Sequence, residues 1–347
     1  MSKHRITIKD IAKELKISTS TVSRALADKW DVNPETRKSV LELAEKWGYR
    51  PNPISLSLKR QQSMYIGVII PEFVNSFFPQ VIMGIESVLR PKGYQILISQ
   101  SNESSETELN NLKALEATLV DGFIVSVSKE TQNVDYFKHL IDNNFPIVFF
   151  NRVCMGIEVS SVVVDDYKWA FLAVEHLIKQ GCKRIVHLAG QDNLMVAVQR
   201  KQGYIDALKK ANLPVDEELI IPSGVTMERG IMSAYKILEM KEAPDAIFAI
   251  NDPAAIGAMK ILQKHGVRIP EDIAVVGFTE SQLAMIIEPN LTSVEQPTFE
   301  MGRTAAELLL EQMKNIQDEK YASRTVILEA KLNERESSER LQSNPKR

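Results

Sequence analysis

The chain is 347 residues long, which is too long for one ordinary hydrophobic core, so we expect two or three domains. Its composition, 44% hydrophobic and 25% charged, is typical of a soluble globular protein, and no stretch approaches the ~20 apolar residues of a membrane span. The two cysteines, Cys154 and Cys182, provide neither a disulfide framework nor a metal-binding spacing. We therefore expect a cytoplasmic protein without membrane attachment and without a cofactor.

The formal net charge of −3 conceals an asymmetry along the chain. Residues 1–60 carry 13 basic and 7 acidic side chains, a net charge of +6, whereas the remainder carries 29 basic and 38 acidic ones, a net charge of −9. A basic segment at one end favours contact with a polyanion, although an ordinary surface of mixed sign stays open as an alternative.

Three short helices are predicted at the front of the chain. Thr7 begins a Thr-x-x-Asp start, Ser18 can cap a second helix, and Asn33 can cap a third, which has Pro34 at its first position and ends at Gly48. Apolar residues recur at helical spacing in each of them. The residues expected to face inward are Ile8, Ile11, Ala12 and Leu15, then Val22, Ala25 and Leu26, then Val40, Leu43, Ala44 and Trp47.

The second of these helices collects its polar residues on one face. Thr19, Ser20, Ser23 and Arg24 fall within an arc of roughly 140° opposite the apolar residues. Two short helices joined by a tight turn and closed by a third form the helix-turn-helix plan, whose second helix enters the DNA major groove. Hydroxyls there can reach phosphates and base edges, and an arginine can bond guanine O6 and N7. A merely solvated helix face is the alternative.

The segment that follows, "PNPISLSLKR", breaks the third helix. Ile54, Leu56 and Leu58 alternate with two serines, so the local pattern is closer to a strand than to a helix. By itself the segment is interpreted as an apolar, mobile linker.

From Met64 onward, apolar strands alternate with helical segments, which implies parallel sheets. The pattern runs once and then restarts near residue 171, which predicts two α/β lobes with a ligand site in the crevice between them. The predicted strands are "YIGVII", "YQILIS", "FIVSVS", "PIVFFN", "RIVHLAG", "ELII", "AIFAIN" and "DIAVVGF". The sequence contains no G-x-G-x-x-G, P-loop, H-E-x-x-H or G-x-S-x-G motif, so no enzyme activity is expected.

Several stretches together resemble one family over nearly the whole chain. They are "TIKDIAKELKISTSTVSRAL", "VNPETRKSVLELAEKWGYRPN", "IGVIIPEFVNSFF", "DGFIV", "VVVDD", "HLIKQGCKRIVHLAG", "RKQGYIDAL", "AINDPAAIGAMKIL", "IPEDIAVVGF" and "PNLTSVEQP". In this order they closely resemble the lactose-repressor (LacI/GalR) family of bacterial transcription regulators. The resemblance implies a homodimer on palindromic operator DNA, a small effector, and allosteric coupling between the two sites.

The resemblance also implies a domain plan. It places a helix-turn-helix headpiece at residues 2–50, a hinge helix at 51–62, and a doubly wound core like that of periplasmic sugar-binding proteins at 63–335. Lobe 1 would comprise about 63–163 and 295–322, and lobe 2 about 164–294 and 323–335. A flexible tail would occupy 336–347.

Site residues carry over by position from this resemblance. In the headpiece, Thr19, Ser20 and Arg24 match positions that contact bases. Ser18, Ser23 and Asn33 match positions that contact the DNA backbone, and Thr7 is also expected to contact it. Leu58 falls at the leucine that wedges into the minor groove, although Ser55 and Leu56 depart from the family pattern. The effector positions are Phe77, Phe78, Asn151, Arg200, Asn251, Thr279 and Gln296.

Each effector position also has a structural interpretation, in which the phenylalanines are core residues, Asn251 is a helix cap and Gln296 serves the hinge. Thr279 and Asn151 are uncharged where the family commonly has Asp, and Val225 stands where several members have an aromatic lid. Arg200 has no evident local acidic partner, so we expect a sugar or sugar derivative as effector, and one that is acidic or phosphorylated. Control by a partner phosphoprotein stays open, and a transport binding protein or an enzyme is disfavoured.

Overall fold

The computed structural model describes residues 6–49, 62–74, 76–131, 134–154, 156–315 and 322–340. The chain divides into two units, Met1–Ser63 and Met64–Arg347. Within the described residues, no helix is both long enough and apolar enough to cross a bilayer.

The first unit contains the three predicted helices, α1 (Ile8–Glu14), α2 (Thr19–Leu26) and α3 (Pro34–Lys46). Their buried residues are six of the predicted apolar ones, with the others packed against them at the edge of the cluster. The predicted starts are confirmed: Ser18 accepts a hydrogen bond from the Thr21 N–H at 3.0 Å, and Asn33 Oδ1 accepts one from the Glu35 N–H at 2.8 Å. At α1, the Asp10 carboxylate accepts from both the N–H and the hydroxyl of Thr7.

The second unit contains two six-stranded sheets. The first sheet is entirely parallel, in the order β11-β5-β4-β3-β1-β2. Its strands are β1 (Tyr65–Ile70), β2 (Gln95–Gln100), β3 (Phe123–Val125), β4 (Ile147–Phe150), β5 (Ser160–Val164) and β11 (Thr325–Leu328).

The second sheet has the order β12-β10-β9-β8-β6-β7 and is parallel except for β12, which runs antiparallel to β10. Its strands are β6 (Ile185–Ala189), β7 (Ile220–Pro222), β8 (Ala246–Ala249), β9 (Ala274–Thr279), β10 (Thr292–Glu295) and β12 (Lys331–Asn333). The predicted α/β class with two doubly wound lobes is therefore confirmed.

Helices cover both sheets, and their apolar faces form the cores of the lobes. In the described residues of this unit they are α4 (Phe77–Leu89), α5 (Ser105–Ala117), α6 (Asp135–Asp142), α7 (Asp166–Lys179), α8 (Met195–Lys210), α9 (Met227–Leu238), α10 (Asp252–Lys264) and α11 (Thr298–Asn315). In the first lobe α4 and α11 cross at Gly84 and Gly302, where backbone packs against backbone. A methyl group on Gly302 would overlap the Val81 carbonyl.

Two of the predicted boundaries are wrong. Residues 323–335 do not all belong to lobe 2, because Thr325–Leu328 pairs in parallel with β5 at the edge of the first sheet and only Lys331–Asn333 joins the second. Residues 336–340 are not a flexible tail, since Ser337 and Ser338 are fully buried and Ser337 bonds to the backbone of Val275. Hydrogen bonds to β9 and β10 of the second sheet hold Ser337 and Ser338 in place.

Candidate functional site

The exposed face of α2 is the candidate DNA-contacting surface. Thr19, Ser20 and Arg24 are exposed and Ser23 is half-buried, while Val22 and Ala25 on the opposite side are buried in the three-helix core. Since the core fixes the helix, the polar side chains are presented together on a rigid support.

Three of the four predicted backbone-contacting residues, Thr7, Ser18 and Asn33, lie at helix starts, where they already have partners, and Ser23 lies within α2. The Ser18 hydroxyl oxygen lies 2.6 Å from Ser20 Oγ and 2.8 Å from Thr21 Oγ1, in addition to capping α2. Thr7, Ser18 and Asn33 are exposed, so their remaining hydrogen-bonding capacity faces solvent. Leu58, Ser55 and Leu56 of the predicted hinge lie outside the residues that the structure describes.

Arg24 has a partner that the sequence reasoning did not identify. Its Nη1 lies 3.1 Å from Asp31 Oδ2, and its Nε donates to the Ser20 carbonyl at 3.4 Å. Asp31 lies seven residues further on, in the turn before α3, so the contact depends on how that turn folds back toward α2.

The seven predicted effector positions all line one cavity of about 80 Å³ between the two lobes of the second unit. They come from the start of α4, the ends of β4, β8, β9 and β10, and the inner face of α8. The carboxyl ends of parallel strands meet at one edge of each sheet, which is why residues so distant in sequence converge. Glu72, Arg152 and Ser281 also line this cavity, and no pattern in the sequence indicated them.

The expectation that Arg200 lacks an acidic partner is wrong. Its Nε and Nη2 donate to Asp166 Oδ1 at 2.8 and 2.6 Å, and its Nη1 donates to the Ile250 carbonyl at 2.5 Å. The guanidinium carbon also lies 3.6 Å from the centre of the Phe278 ring. Burial raises the pKa of Asp166, and the Arg200 charge acts against that rise. An ionised pair of this kind has no net charge, which removes the basis for expecting an anionic effector.

Asn251 is the N-cap of α10, which confirms its structural interpretation as a helix cap. Its Oδ1 accepts from the Ala254 N–H at 3.0 Å, and its Nδ2 donates to the Val225 carbonyl at 2.8 Å. Both ends of the amide are therefore engaged by the lobe itself. Phe77 and Phe78 are both core residues and cavity walls, since each is less than a tenth exposed.

Gln296 differs from these residues, because its Nε2 is buried without a hydrogen-bond partner in the described part of the chain. The side chain is 4% exposed and lines the cavity. A buried amide donor is normally satisfied, so this one is available to an acceptor that enters the crevice. Gln296 also lines a second, larger cavity of about 750 Å³, whose other lining residues include Gln80, Lys331 and Arg335.

The loop that carries Thr279 is held in an unfavourable conformation. Thr279 has φ = 108° and Glu280 has φ = 60°, and a β-branched residue rarely adopts positive φ. Asp252 fixes the loop by accepting from the Ser281 N–H at 2.5 Å and from Ser293 Oγ at 2.6 Å. Burial raises the pKa of this carboxyl to about 7.

Glu280 is tied to Arg335 by an ion pair whose side chains are 10% and 17% exposed. This ion pair helps to hold the strained backbone of Thr279 and Glu280. Backbone strain held by surrounding contacts is typical of ligand sites.

The two lobes also touch where the Asn193 amide donates to the Lys129 carbonyl. Lys129 follows β3 in the first lobe, and Asn193 precedes α8 in the second. The described residues hold no cluster of three or more His, Cys, Asp or Glu side chains that could bind a metal ion.

Comparison with known proteins agrees with this arrangement. The family model of bacterial regulatory proteins, lacI family, matches residues 7–52, and that of the periplasmic binding protein-like domain matches residues 174–338. The HTH-type transcriptional repressor CytR of Escherichia coli (strain K12) is 33% identical over 308 residues, covering 89% of this chain and 90% of that protein.

Two solved structures extend the likeness to the three-dimensional fold. One is a complex of the transcriptional regulator CelR with cellobiose, with a TM-score of 0.72 and 29% identity, covering 96% of this chain and 100% of that one. The other is the lac repressor dimer bound to operator and the anti-inducer ONPF, with a TM-score of 0.83 and 24% identity, covering 96% of this chain and 99% of that one.

Proposed function

Because this chain belongs to the lacI family of bacterial regulatory proteins, we propose that it is a cytoplasmic transcriptional repressor that binds operator DNA under the control of a small effector. The observation that carries the proposal is the polar face of α2, which is presented to solvent on a buried three-helix core. No catalytic role is proposed, and the relatives named above are regulators.

The DNA-bound form is proposed to be a homodimer on a palindromic operator, as in the lac repressor dimer bound to its operator. The side chains assigned to bases are Thr19, Ser20 and Arg24. Those assigned to the DNA backbone are Thr7, Ser18, Ser23 and Asn33, and Leu58 is assigned to the minor groove at the operator centre.

The effector is proposed to be a neutral sugar. The crevice offers Gln296 Nε2, which has no hydrogen-bond partner among the described residues, together with the polar side chains of Asn151 and Thr279, and the phenylalanines provide an apolar wall. Polar groups of this kind match sugar hydroxyls, and apolar walls match the C–H faces of a pyranose ring. Since Asp166 neutralises Arg200, the charge argument for an acidic sugar no longer holds. The complex of CelR with cellobiose supports the same class of ligand.

Entry of a sugar requires the lobes to separate. A cavity of about 80 Å³ is far smaller than the ~300–1,000 Å³ typical of ligand pockets, and the hydrogen bond between Asn193 and Lys129 joins the two lobes. An effector that binds the open and closed lobes with different affinity would shift their equilibrium, and linkage would then change operator affinity.

The DNA part of this proposal is tested by selecting bound sequences from random DNA with the full chain. A palindromic consensus is expected, with affinity that falls steeply as salt rises. Arg24→Ala should weaken cognate binding by about 1–3 kcal/mol and relax one base position. As a control, Arg268→Ala removes an exposed cation from the second unit and should change neither the affinity for the cognate operator nor the base preference. Failure of the wild-type chain to enrich any sequence would refute the DNA-binding function.

The effector part is tested by calorimetry with neutral sugars and with the corresponding sugar acids and phosphates. Neutral sugars are expected to bind and to change operator affinity, whereas the charged forms should bind more weakly. Gln296→Ala should weaken sugar binding, and Gln95→Ala, which alters an exposed amide on β2, should not. Binding of charged sugars alone would contradict the proposed ligand class without touching DNA recognition.

A further inference from the structure

We propose that Asp31 is a positioning residue for DNA reading, which orients the Arg24 guanidinium toward its base and weakens binding to DNA of other sequence. The inference rests on the proposed function of the headpiece. It assigns part of the sequence specificity to a residue outside α2, the recognition helix. Its basis is the contact of Arg24 Nη1 with Asp31 Oδ2 at 3.1 Å.

Two contacts fix the guanidinium on the exposed side of α2. Asp31 holds Nη1, and the Ser20 carbonyl accepts from Nε at 3.4 Å. The side chains of Arg24 and Asp31 are 48% and 36% exposed, so packing does little to restrain either of them. The orientation of Arg24 therefore depends on these two polar contacts.

The contacts leave Arg24 able to read a base. A guanidinium has five N–H groups, of which these partners use one on Nη1 and the one on Nε, while the second Nη1 hydrogen and both Nη2 hydrogens have no partner in the part of the chain that the structure describes. Guanine O6 and N7 require two parallel donors, which the Nη1 and Nη2 edge supplies. Because the side chain is already ordered, it loses less rotamer freedom when it meets the base.

The carboxylate also disfavours incorrect complexes. Non-specific binding is driven by attraction between cations and phosphates, and a carboxylate beside Arg24 reduces that attraction. A guanine edge still provides two directed acceptors, so cognate binding keeps its hydrogen bonds. Asp31 is thus expected to increase the ratio of specific to non-specific affinity, by adding a repulsive element against other sequences.

The same turn contains a matched comparison residue. Asp28 carries the same carboxylate and forms an ion pair with Arg37 of α3, not with the recognition helix. Asn can replace it at its φ of 56°, since Asn tolerates left-handed backbone. Asp28→Asn and Asp31→Asn therefore each remove one negative charge from the same turn, but only Asp31→Asn removes the ion pair with Arg24.

The experiment measures the affinity of the full chain for the selected operator, for operators altered at each position, and for unrelated DNA. Arg24→Ala first identifies the base position that Arg24 reads. Asp31→Asn is expected to reduce discrimination at that position at least fivefold and to raise affinity for unrelated DNA. Asp28→Asn should raise affinity for unrelated DNA and keep the discrimination. Thermal unfolding of each variant confirms that the headpiece is folded.

The double variant Arg24→Ala/Asp31→Asn separates positioning from direct contact. If Asp31 acts through Arg24, the aspartate substitution should no longer change discrimination once Arg24 is absent. Equal discrimination profiles for Asp28→Asn and Asp31→Asn, or a loss at this position that persists in the Arg24→Ala background, would overturn the inference. A wild-type chain that bound no palindrome would refute the proposed function itself, which is a different result.

Discussion

Replacing Asp166 with asparagine tests whether the buried ion pair with Arg200 governs both stability and ligand charge. Asparagine keeps the volume and one oxygen acceptor, so the change removes charge with little effect on packing. The two side chains are 4% and 6% exposed, so little solvent screens the pair.

The magnitude follows from the two hydrogen bonds that Oδ1 accepts at 2.8 and 2.6 Å. Charge-assisted hydrogen bonds contribute about 1.5–3 kcal/mol and neutral ones about 1 kcal/mol. Replacing two charge-assisted bonds with two neutral ones should therefore lower the free energy of unfolding by about 1–4 kcal/mol. Arg200 also stays buried without a counter-charge, which places the loss near the ~3–5 kcal/mol typical of a broken buried pair. We therefore expect the free energy of unfolding to fall by about 3 kcal/mol.

Urea unfolding followed by circular dichroism measures this change, and the neighbouring carboxylate provides the control. Asp165 caps α7 by accepting from the Lys168 N–H at 2.9 Å, and Asn caps helices about as well as Asp, so Asp165→Asn should change stability by less than about 0.5 kcal/mol. In a cycle with Arg200→Met, the double variant should be more stable than the sum of the single losses predicts, by about 2 kcal/mol. Additive losses, or equal values for the two Asn variants, would refute the reasoning.

The same variants have a pH and ligand signature. Burial raises the pKa of Asp166 and Arg200 lowers it, so Arg200→Met should raise that pKa further. A carboxyl whose folded pKa exceeds its unfolded one stabilises less as pH rises, so the Arg200→Met variant should lose more stability than the wild type as pH rises above the unfolded aspartate pKa of about 3.9. Asp166→Asn leaves the Arg200 charge uncompensated, and calorimetry should then detect tighter binding of a sugar phosphate than the wild-type chain shows.

Three further substitutions test other parts of the structure. Since burial raises the pKa of Asp252 from 3.8 to about 7, urea unfolding of the wild type should show a decline in stability of about 4 kcal/mol between about pH 4 and 7, and Asp252→Asn should abolish it; parallel pH profiles would contradict this. Gly302→Ala should lower the melting temperature and the free energy of unfolding by about 3 kcal/mol or more, since its methyl group overlaps the Val81 carbonyl and the helices must separate; an unchanged melting temperature would refute the packing argument. Ser18→Ala should speed hydrogen exchange in α2 by an amount equivalent to about 1 kcal/mol, because the Thr21 N–H loses its cap, and unchanged exchange would count against it.

Elements with strong local patterns were predicted correctly, and those with weak ones were missed. The three headpiece helices have a cap and an apolar stripe within about fifteen residues, and all were found at their predicted starts. Helix α6 and strands β5, β10, β11 and β12 were not among the predicted elements. Strand β5, "SSVVV", and strand β10, "TSVE", are short and begin with hydroxyl residues, so apolar runs alone gave no signal for them.

The candidate site divides in the same way. The family resemblance predicted seven effector-binding positions, and the structure places all seven around one cavity. The partners that determine their chemistry were not predictable: Asp166 lies 34 residues from Arg200, and Asp31 lies seven residues and one turn from Arg24. Such contacts depend on how helices and loops pack, which residue spacing does not specify.

The sequence by itself determined the kinds of element, the polar face of α2, the helix caps and the alternation of strands and helices. Each depends on interactions within a few residues, where spacing and capping chemistry are decisive. Only the tertiary structure decided that Thr325–Leu328 closes the edge of the first sheet, that Ser337 and Ser338 are buried, and that Arg200 is neutralised. Strand order and buried pairing are settled by which distant surfaces meet when the lobes pack, and a one-dimensional pattern contains no distances.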